Sequence, residues 1–294
     1  MSKEVNAQGA IEYLLIIAAA ILVVSIVILA VTGALGSGQN QTSQGIESQE
    51  NAFDQLKASQ PGSIKLNGKV YSKSSSMQNG LIGLWHLDET SGDAIDSSIS
   101  SNNGLVFEAL PGQPGYFGNQ AYLFDGANDY IKIDHSSTLT PNNVTVSVWF
   151  NSNDITKRQM FVSKTQSGGY NLSLNENSVC PDDVLCFLVR DSAGYKATTA
   201  DPSLLQNNTW YYLVGTYDGD TAIIYLNGSE IKRNEILSGD IVYVNDVPLC
   251  IGSEPKIDNT CLDGMYVDGL IGEVAIWDRA LSADEVLELW DNAQ

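Results

Sequence analysis

The chain has 294 residues, enough for one large domain or two modest ones with a substantial hydrophobic core. It carries 15 Lys and Arg against 35 Asp and Glu, which gives a formal net charge of −20. Nucleic acid is a poor partner for such a surface, because affinity for nucleic acid comes mainly from basic groups that displace phosphate counterions. We therefore predict no nucleic-acid partner and expect a soluble, acidic surface suited to a salty or cation-containing medium.

An apolar segment lies near the N-terminus, in the stretch "QGAIEYLLIIAAAILVVSIVILAVTGALG" from Gln8 to Gly36. The run Leu14–Ala34 has no charge, and at about 1.5 Å per residue a helix of this length matches the roughly 30 Å bilayer core. Glu12 interrupts the pattern, since a carboxylate at the centre of a membrane helix costs about 2.5–3.5 kcal/mol. The pattern predicts a hydrophobic helix over 8–36 in which Glu12 has a function.

The residues before this helix differ from an ordinary secretory signal, which places a small-residue cleavage site after a short apolar core. Here the apolar core is longer, and the small residue, Ala7, precedes it. A cut between Ala7 and Gln8 removes only a leader of residues 1–7 and leaves the helix on the mature protein. We predict this processing site.

This arrangement resembles the class III signal peptide of archaeal type IV pilin-like proteins, whose mature chain begins Gln-x-x-x-Glu. Gln8 and Glu12 match, whereas Ala10 stands where many members have serine. The resemblance implies that a prepilin peptidase cleaves a membrane-anchored precursor and that the mature helices of several pilin subunits pack into an extracellular filament. It also implies that Glu12 meets the freed α-amine of Gln8 on a neighbouring subunit. The alternative is a single-pass anchor that does not polymerise, with Glu12 hydrated at the interface.

Residues 37–79 are mostly polar and are predicted to form a stalk or linker. Ile46, Phe53 and Leu56 have spacings that a helix could use, and Pro61 would end it. A helix over part of this segment and a solvated linker are both compatible with the sequence.

From residue 80 onward the pattern changes to short β-rich runs bounded by Gly, Asn, Asp or Pro. These runs fall at 81–87, 121–125, 130–133, 144–150, 170–174, 185–190, 209–217, 221–228 and 270–277. Many short strands without intervening helices predict an all-β sandwich or jelly roll over 80–294. Only the tail "LSADEVLELWDNAQ" predicts a helix, because Ser282 and Glu285 have the spacing of a capping box.

The four cysteines form two closely spaced pairs, Cys180 with Cys186 and Cys250 with Cys261. Their spacing favours two local disulfides, although four cysteines allow three pairings. A zinc site is the alternative, but it would want C-x-x-C spacing or histidine ligands, and His86 and His135 are the only histidines. Disulfides predict an oxidising, extracellular location.

Several segments in the same order resemble the concanavalin A-like, laminin-G-like jelly rolls. They are "GLWHLDETSGDAIDSS" (83–98), "FDGANDYIKI" (124–133), "TVSVWF" (145–150), "WYYLVGTYDG…IYLNG" (210–228) and "IGEVAIWDRALSADEV" (271–286). The resemblance implies this fold for roughly residues 81–291. It also implies calcium as a candidate cofactor, since members often bind calcium near these loops.

Hard oxygen ligands for calcium are present in these loops, at Asp88, Asp96, Asp125 and Asp129, with carbonyls offered at 102–104. Our candidate ligand set is Asp88, Asp96, Asp125 and Asp278. The alternative is that the Asp-Gly and Asn-Asp pairs simply form turns.

The fold also hosts glucanases, so an enzyme has to be considered. Retaining glycosidases need two carboxyl groups about 5–5.5 Å apart, which on one strand face requires an E-x-D-x-E type alternation. No such triplet occurs: the nearest strand acid, Glu273, has uncharged neighbours on its face, and Asp278 is out of phase with it. We predict that the protein is not an enzyme.

Aromatic residues divide into two groups. The apolar strand patterns predict that three tryptophans are core residues, namely Trp85, Trp149 and Trp277. Four tyrosines in or beside Gly-rich segments are better placed to contact a ligand, namely Tyr116, Tyr170, Tyr195 and Tyr266. Five N-x-[S/T] sequons are candidate glycosylation sites in a secreted protein, at Asn40, Asn143, Asn171, Asn207 and Asn227.

Taken together, these features predict a pilin-like subunit at the cell surface. Its apolar helix serves membrane storage and filament assembly, and its jelly-roll head binds an extracellular glycan or protein for adhesion.

Overall fold

A computed structural model of the protein describes residues 63–72, 75–166, 168–176, 179–180, 185–235, 239–244, 246–261 and 264–294. The predicted leader and apolar helix lie outside the described residues, as do most of the linker and the site residues Ala7, Gln8, Glu12 and Asn40. Residues 57–294 form one compact unit. Across the described ranges, no helix has both the length and the apolar character needed to cross a membrane.

The described chain is built almost entirely of β-strands. Its strands are β1 (Ile64–Leu66), β2 (Lys69–Tyr71), β3 (Leu81–Trp85), β4 (Gly104–Phe107), β5 (Leu110–Pro114), β6 (Gln120–Asp125), β7 (Tyr130–Ile133), β8 (Val144–Ser152), β9 (Gln159–Thr165), β10 (Gly169–Leu174), β11 (Leu185–Asp191), β12 (Gly194–Ala200), β13 (Tyr211–Tyr217), β14 (Ala222–Leu226), β15 (Ser229–Asn234), β16 (Leu249–Ile251) and β17 (Asp268–Trp277). A helix, α1 (Ala283–Asp291), follows near the C-terminus.

The strands form two large antiparallel sheets and a small hairpin. The seven-stranded sheet has the order β12-β11-β10-β9-β16-β7-β4. The eight-stranded sheet has the order β15-β14-β13-β8-β17-β6-β5, with β3 also paired to β17. Strands β1 and β2 pair only with each other. The fold is therefore an all-β antiparallel sandwich, consistent with the predicted jelly roll.

The main core lies between the two large sheets. Side chains alternate along each strand, so that Tyr211, Leu213 and Tyr217 of β13 face inward. Phe150 of one sheet stacks on Phe161 of the other, with ring centroids 4.3 Å apart. These contacts join the sheets through apolar side chains alone.

A second core covers the opposite face of the eight-stranded sheet. Trp149, Tyr212 and Trp277 point away from the main core and are almost completely buried. They are covered by the β1–β2 hairpin, by the turn around Met77 and by α1, which contributes Leu289. Because both faces of this sheet are buried, its central strands have nearly continuous buried residues instead of alternation with solvent.

Asn67 joins this cover to the sheet. It occupies the turn between β1 and β2 with φ 46°, a left-handed conformation that asparagine tolerates. Its backbone N–H donates to Glu273 Oε1 (2.8 Å), its Nδ2 donates to the Leu289 carbonyl (3.0 Å), and its Oδ1 accepts from Trp149 Nε1 (3.1 Å). One buried side chain thus connects the hairpin, β8 and α1.

The hairpin is a correction to the predicted boundaries. Residues 63–72 were predicted to belong to a linker over 37–79, but they form strands whose Leu66 and Tyr71 are part of the second core. The missed strands have three residues each, too few for an alternation of apolar and polar side chains to be recognised.

The C-terminal helix confirms the prediction made from its sequence. Ser282 Oγ accepts from the Glu285 backbone N–H, and Glu285 Oε2 accepts from the Ser282 backbone N–H, which completes the capping box. Arg279 donates to both carboxylate oxygens of Glu285 at 2.8 and 2.9 Å. These contacts hold the start of the helix against the chain that leaves β17.

Replacing Asn67 tests whether the hairpin is an integral part of the domain. We expect Asn67→Ala to lower the free energy of unfolding by about 3 kcal/mol, because it leaves buried donor and acceptor groups unpaired and places alanine in a left-handed conformation. Asn67→Gly removes only the hydrogen bonds and should cost about 2 kcal/mol. Urea unfolding measures both. The control is Asn79→Ala, which changes an exposed turn residue on the same side of the sheet. Equal stabilities of all three variants would show that the hairpin is not an integral part of the domain.

Candidate ligand-binding site

Both predicted disulfides are present, and they lie on the outer face of the seven-stranded sheet. Cys180 pairs with Cys186 of β11, and Cys250 of β16 pairs with Cys261. Cys186 and Cys250 alternate with residues of the main core, so their side chains point away from it. The bridges close two segments that border the outer face of this sheet.

A cavity of about 130 Å³ opens on this face beside the disulfide-closed segments. We refer to it as the sheet pocket. Its walls come from strands β9 to β12 and from the segments that contain Cys180 and Cys261. The lining residues are Thr165, Gln166, Asn171, Glu176, Val179, Leu188, Tyr195 and Glu254. The pocket therefore combines polar groups with one aliphatic and one aromatic wall.

The polar floor of the sheet pocket is fixed by hydrogen bonds. Thr165 Oγ1 lies 2.8 Å from Ser163 Oγ, and Ser173 Oγ donates to Asn171 Oδ1 at 3.3 Å. Glu176 Oε2 accepts from the backbone N–H groups that lead into Cys180. Buried polar groups held in this way offer donors and acceptors in a set geometry.

Tyr195 forms the aromatic wall of the sheet pocket. Its ring is partly exposed, its hydroxyl accepts from the Gly168 backbone N–H (2.9 Å), and the Arg190 guanidinium lies 5.6 Å from the ring centroid. With its hydroxyl hydrogen-bonded and Arg190 over one face, the ring presents its other face as a flat apolar surface at low entropic cost. It is the only one of the four predicted tyrosines that lines this pocket among the residues described.

The other aromatic predictions have different outcomes. The interpretation of Tyr170 as a ligand contact is not supported, because its side chain is 0% exposed in the main core. Tyr116 is 3% exposed in the second core and borders a cavity beside the β1–β2 hairpin. Tyr266 packs against the cluster formed by Tyr130 and the Cys250–Cys261 bridge. The three tryptophans predicted to be core residues are all fully buried, namely Trp85, Trp149 and Trp277.

A second, smaller cavity of about 40 Å³ lies beside the β1–β2 hairpin. We refer to it as the hairpin pocket. Its lining residues are Lys65, Gly68, His86, Asp88, Tyr116, Asn119 and Glu273. It contains both cationic and anionic side chains in a small volume.

Glu273 and His86 form a close pair in the hairpin pocket, with Nδ1 and Oε2 2.7 Å apart. Burial lowers the pKa of His86, but the hydrogen bond and charge of Glu273, with a contribution from Asp88, outweigh this effect and leave the pKa raised. The other oxygen of Glu273 accepts from the Asn67 backbone. Glu273, the strand acid that comes nearest to a glycosidase pattern, is thus paired with His86 and with the backbone N–H of Asn67.

The structure does not bring the four proposed calcium ligands together. Asp96 is buried, and its oxygens accept from the backbone N–H groups of Leu84, Ser98 and Asn102. Asp125 accepts from the backbone of Ala127 within its own turn. The hydrogen bonds of Asp96 and Asp125 therefore support the alternative, in which these residues stabilise turns.

The remaining acids are also dispersed. Asp88 borders the hairpin pocket, Asp278 is exposed beside Gly80, and Asp129 accepts from the Asp125 backbone. Within the described ranges, no group of three or more His, Cys, Asp or Glu side chains is arranged to hold a metal ion. The set Asp88, Asp96, Asp125 and Asp278 is therefore not a site in this conformation.

The described sequons differ in accessibility. Asn171 is 1% exposed on the floor of the sheet pocket, which argues against its glycosylation in the folded protein. Asn227 lies in the β14–β15 turn with φ 50°, and its Oδ1 accepts from the Tyr212 backbone. Asn207 is exposed, and Asn143 is partly exposed.

The His86–Glu273 pair predicts a pH-dependent contribution to stability. Because folding raises the pKa of His86, its stabilisation is fully present below the unfolded pKa of about 6.5 and is lost as pH rises through the folded pKa. We expect His86→Gln to lower the urea midpoint more at pH 5.5 than at pH 8.5. Asn79→Ala, which changes no titratable group, is the control. An equal decrease of the urea midpoint at both pH values would contradict a pH-dependent contribution of the His86–Glu273 pair.

Three solved structures with similar folds are distant from this chain in sequence. The binding domain of Paraclostridial mosquitocidal protein 1 aligns with a TM-score of 0.56 and 17% identity over 73% of this chain and 52% of that chain. The binding domain of botulinum neurotoxin serotype D gives 0.55 and 17% over 74% and 53%. This chain thus spans about half the length of these toxin domains.

A third structure matches over nearly its whole length. Domain 4 of AbnA, an extracellular GH43 arabinanase from Geobacillus stearothermophilus solved in complex with arabinotriose, has a TM-score of 0.55 and 18% identity, over 73% of this chain and 98% of that chain. At these identities the likeness shows the fold alone.

A sequence comparison with curated proteins found no match. The laminin G family model described as the concanavalin A-like lectin/glucanases superfamily matches residues 125–287, which is more than half of the chain. The matched region includes both disulfides and every strand that borders the sheet pocket. The chain therefore belongs to the concanavalin A-like lectin/glucanases superfamily.

Proposed function

We propose that the sandwich is a carbohydrate-binding head and that the full chain is a pilin-like subunit that displays it outside the cell for adhesion. The head binds without catalysis, through the sheet pocket. The observation that carries this proposal is the polar floor of that pocket beside the partly exposed ring of Tyr195.

The chemistry of the sheet pocket suits a saccharide. Sugar hydroxyl groups need both donors and acceptors, which the hydroxyl of Thr165 and the amide of Asn171 provide. The apolar face of a sugar ring needs a flat apolar surface, which Tyr195 provides. The arabinotriose bound to domain 4 of AbnA supports a saccharide as the ligand of a domain with this fold.

Two features support an extracellular position for the head. Both disulfides join cysteines that are close in sequence, and such bridges persist in oxidising compartments. The formal net charge of −20 favours solubility of a displayed domain.

The pilin-like part of the proposal comes from the sequence before residue 37. The small residue Ala7 before the apolar run, together with Gln8 and Glu12 in the spacing Gln-x-x-x-Glu, supports processing by a prepilin peptidase. In a filament core the Glu12 carboxylate pairs with the freed amine of Gln8 on a neighbouring subunit, since a desolvated carboxylate needs a cation. A protein ligand in place of a glycan would use the same displayed head.

Removing the aromatic wall tests the sheet pocket. We expect Tyr195→Ala to weaken saccharide binding at least tenfold, about 1.4 kcal/mol, because it removes the stacking surface. Calorimetric titration of the full-length protein with arabinotriose, maltotriose, cellotriose and chitotriose measures the effect. Tyr195→Phe keeps the ring and should retain most of the affinity. Tyr266→Ala changes a partly exposed tyrosine outside the pocket and should bind like the unmodified protein.

Two results would refute saccharide binding at this pocket. One is the absence of binding to every saccharide in the set. The other is equal affinity of Tyr195→Ala and the unmodified protein.

Replacing Glu12 tests filament assembly separately from binding. We expect Glu12→Ala to abolish filaments while membrane insertion and processing to a Gln8 start remain, because the acid acts only between assembled subunits. Electron microscopy detects filaments, and intact mass with terminal peptide mapping identifies the first residue. Glu47→Ala, which removes an acid from the linker, is the control. Unchanged assembly in Glu12→Ala, or a start at Met1, would favour an anchored binding protein that does not polymerise.

A further inference from the structure

The loop between β5 and β6 holds a large aromatic side chain in an unfavourable backbone conformation. Phe117 has φ 40° and ψ 37°, in the left-handed region that a bulky residue rarely adopts. Its side chain is 58% exposed, although it is one of the most apolar residues. Backbone strain clusters at functional sites, so a strained and exposed aromatic residue is a candidate ligand contact.

The Phe117 ring rests on a rigid aromatic base. It lies edge-on to Trp149 and Trp290, with centroid separations of 5.8 and 6.3 Å. Beneath it, Tyr116 stacks on Trp149 at 4.0 Å with an interplanar angle of 2°. Trp149 and Tyr116 are buried, so the base is fixed while Phe117 projects into solvent.

The hairpin pocket is lined in part by the loop that carries Phe117. Tyr116 precedes Phe117 in the loop and lines the pocket, and Asn119 of the same loop lines it as well. The lining also includes the imidazole of His86 and the carboxylates of Asp88 and Glu273. The loop that holds the exposed ring thus also contributes to a recess with mixed hydrogen-bonding groups.

We propose that Phe117 and the hairpin pocket form a second carbohydrate-binding site. A sugar ring stacks its apolar face on Phe117, and one hydroxyl or hydroxymethyl group enters the pocket beside Asn119 and Asp88. The cavity volume of about 40 Å³ fits one such substituent and excludes a whole sugar ring. The ring of the sugar consequently stays outside, where the exposed face of Phe117 lies.

This site is separate from the sheet pocket. The sheet pocket is on the outer face of the seven-stranded sheet, whereas Phe117 lies over Trp149 on the outer face of the eight-stranded sheet. The main core lies between the two faces. The second site can therefore be tested independently of the sheet pocket. A head with both sites can join two saccharide chains.

Phe117→Asn tests the site because asparagine accepts the left-handed conformation while removing the ring. The full-length protein is purified in a detergent without a sugar headgroup and titrated with arabinotriose, maltotriose, cellotriose and chitotriose. We expect at least one saccharide to bind Phe117→Asn at least tenfold more weakly than the unmodified protein. Phe117→Trp should retain binding. Leu204→Asn, which changes an apolar side chain of similar exposure (51%), should have no effect.

The urea midpoint distinguishes a binding role from a packing role. We expect Phe117→Asn to change the midpoint little, because relief of backbone strain offsets the loss of the edge contacts with Trp149 and Trp290. A clearly lower midpoint together with unchanged saccharide affinity would assign the ring to packing and would overturn the proposal. Unchanged affinity of Phe117→Asn for every saccharide, or no binding of any, would also overturn it.

The two sites are told apart by their own variants. If Tyr195→Ala removes all saccharide binding and Phe117→Asn removes none, the second site is refuted and the sheet pocket stands. If Phe117→Asn removes saccharide binding and Tyr195→Ala weakens the binding of no saccharide, the second site is supported and the sheet pocket is refuted. If each variant lowers the stoichiometry by one site, both are supported.

Discussion

Burial of the eight-stranded sheet on both faces is the constraint that shapes the rest of the molecule. Tryptophan and tyrosine side chains on its outer face require a cover, and the cover comes from both ends of the described chain. Asn67 satisfies the polar groups that this arrangement buries, namely the indole N–H of Trp149 and the last carbonyls of α1. Without Asn67, the β1–β2 hairpin would pack on a strongly apolar sheet face with nothing to fix its position on that face.

The same constraint explains why the two candidate sites differ in character. On the outer face of the seven-stranded sheet, the described residues form two small apolar clusters around the disulfides, with hydrogen-bonded polar residues beside them. On the eight-stranded sheet the cover is incomplete at its border. Phe117 projects there, and Glu273 and His86 remain within reach of solvent.

The sequence predicted the features that have strong local signals. The long central strands β8 and β13 were predicted from their periodicity. The C-terminal helix was predicted from its capping residues, and the disulfides were predicted from the spacing of the cysteines. Eight strands were missed, namely β1, β2, β4, β5, β9, β12, β15 and β16. Most of them are short, polar or at sheet edges, where the partner strand decides the conformation. Strand β9 is the exception, since it is a buried seven-residue strand inside its sheet. Tyr195 was identified from its Gly-rich surroundings, whereas Asn171 entered only as a sequon. The strain at Phe117 has no sequence signal beyond its flanking glycines, since only tertiary packing reveals it.

The position of Asn67 has a mechanical consequence for a head tethered through the chain that precedes Ser63. Tension along that chain enters at β1, so it acts first on the Asn67 hydrogen bonds and on the contacts of Tyr71 and Lys69 with the C-terminal helix. The disulfides are on the other sheet and carry none of this load. Under force the hairpin would peel away before the sandwich opened, lengthening the tether while the sheet pocket kept its shape.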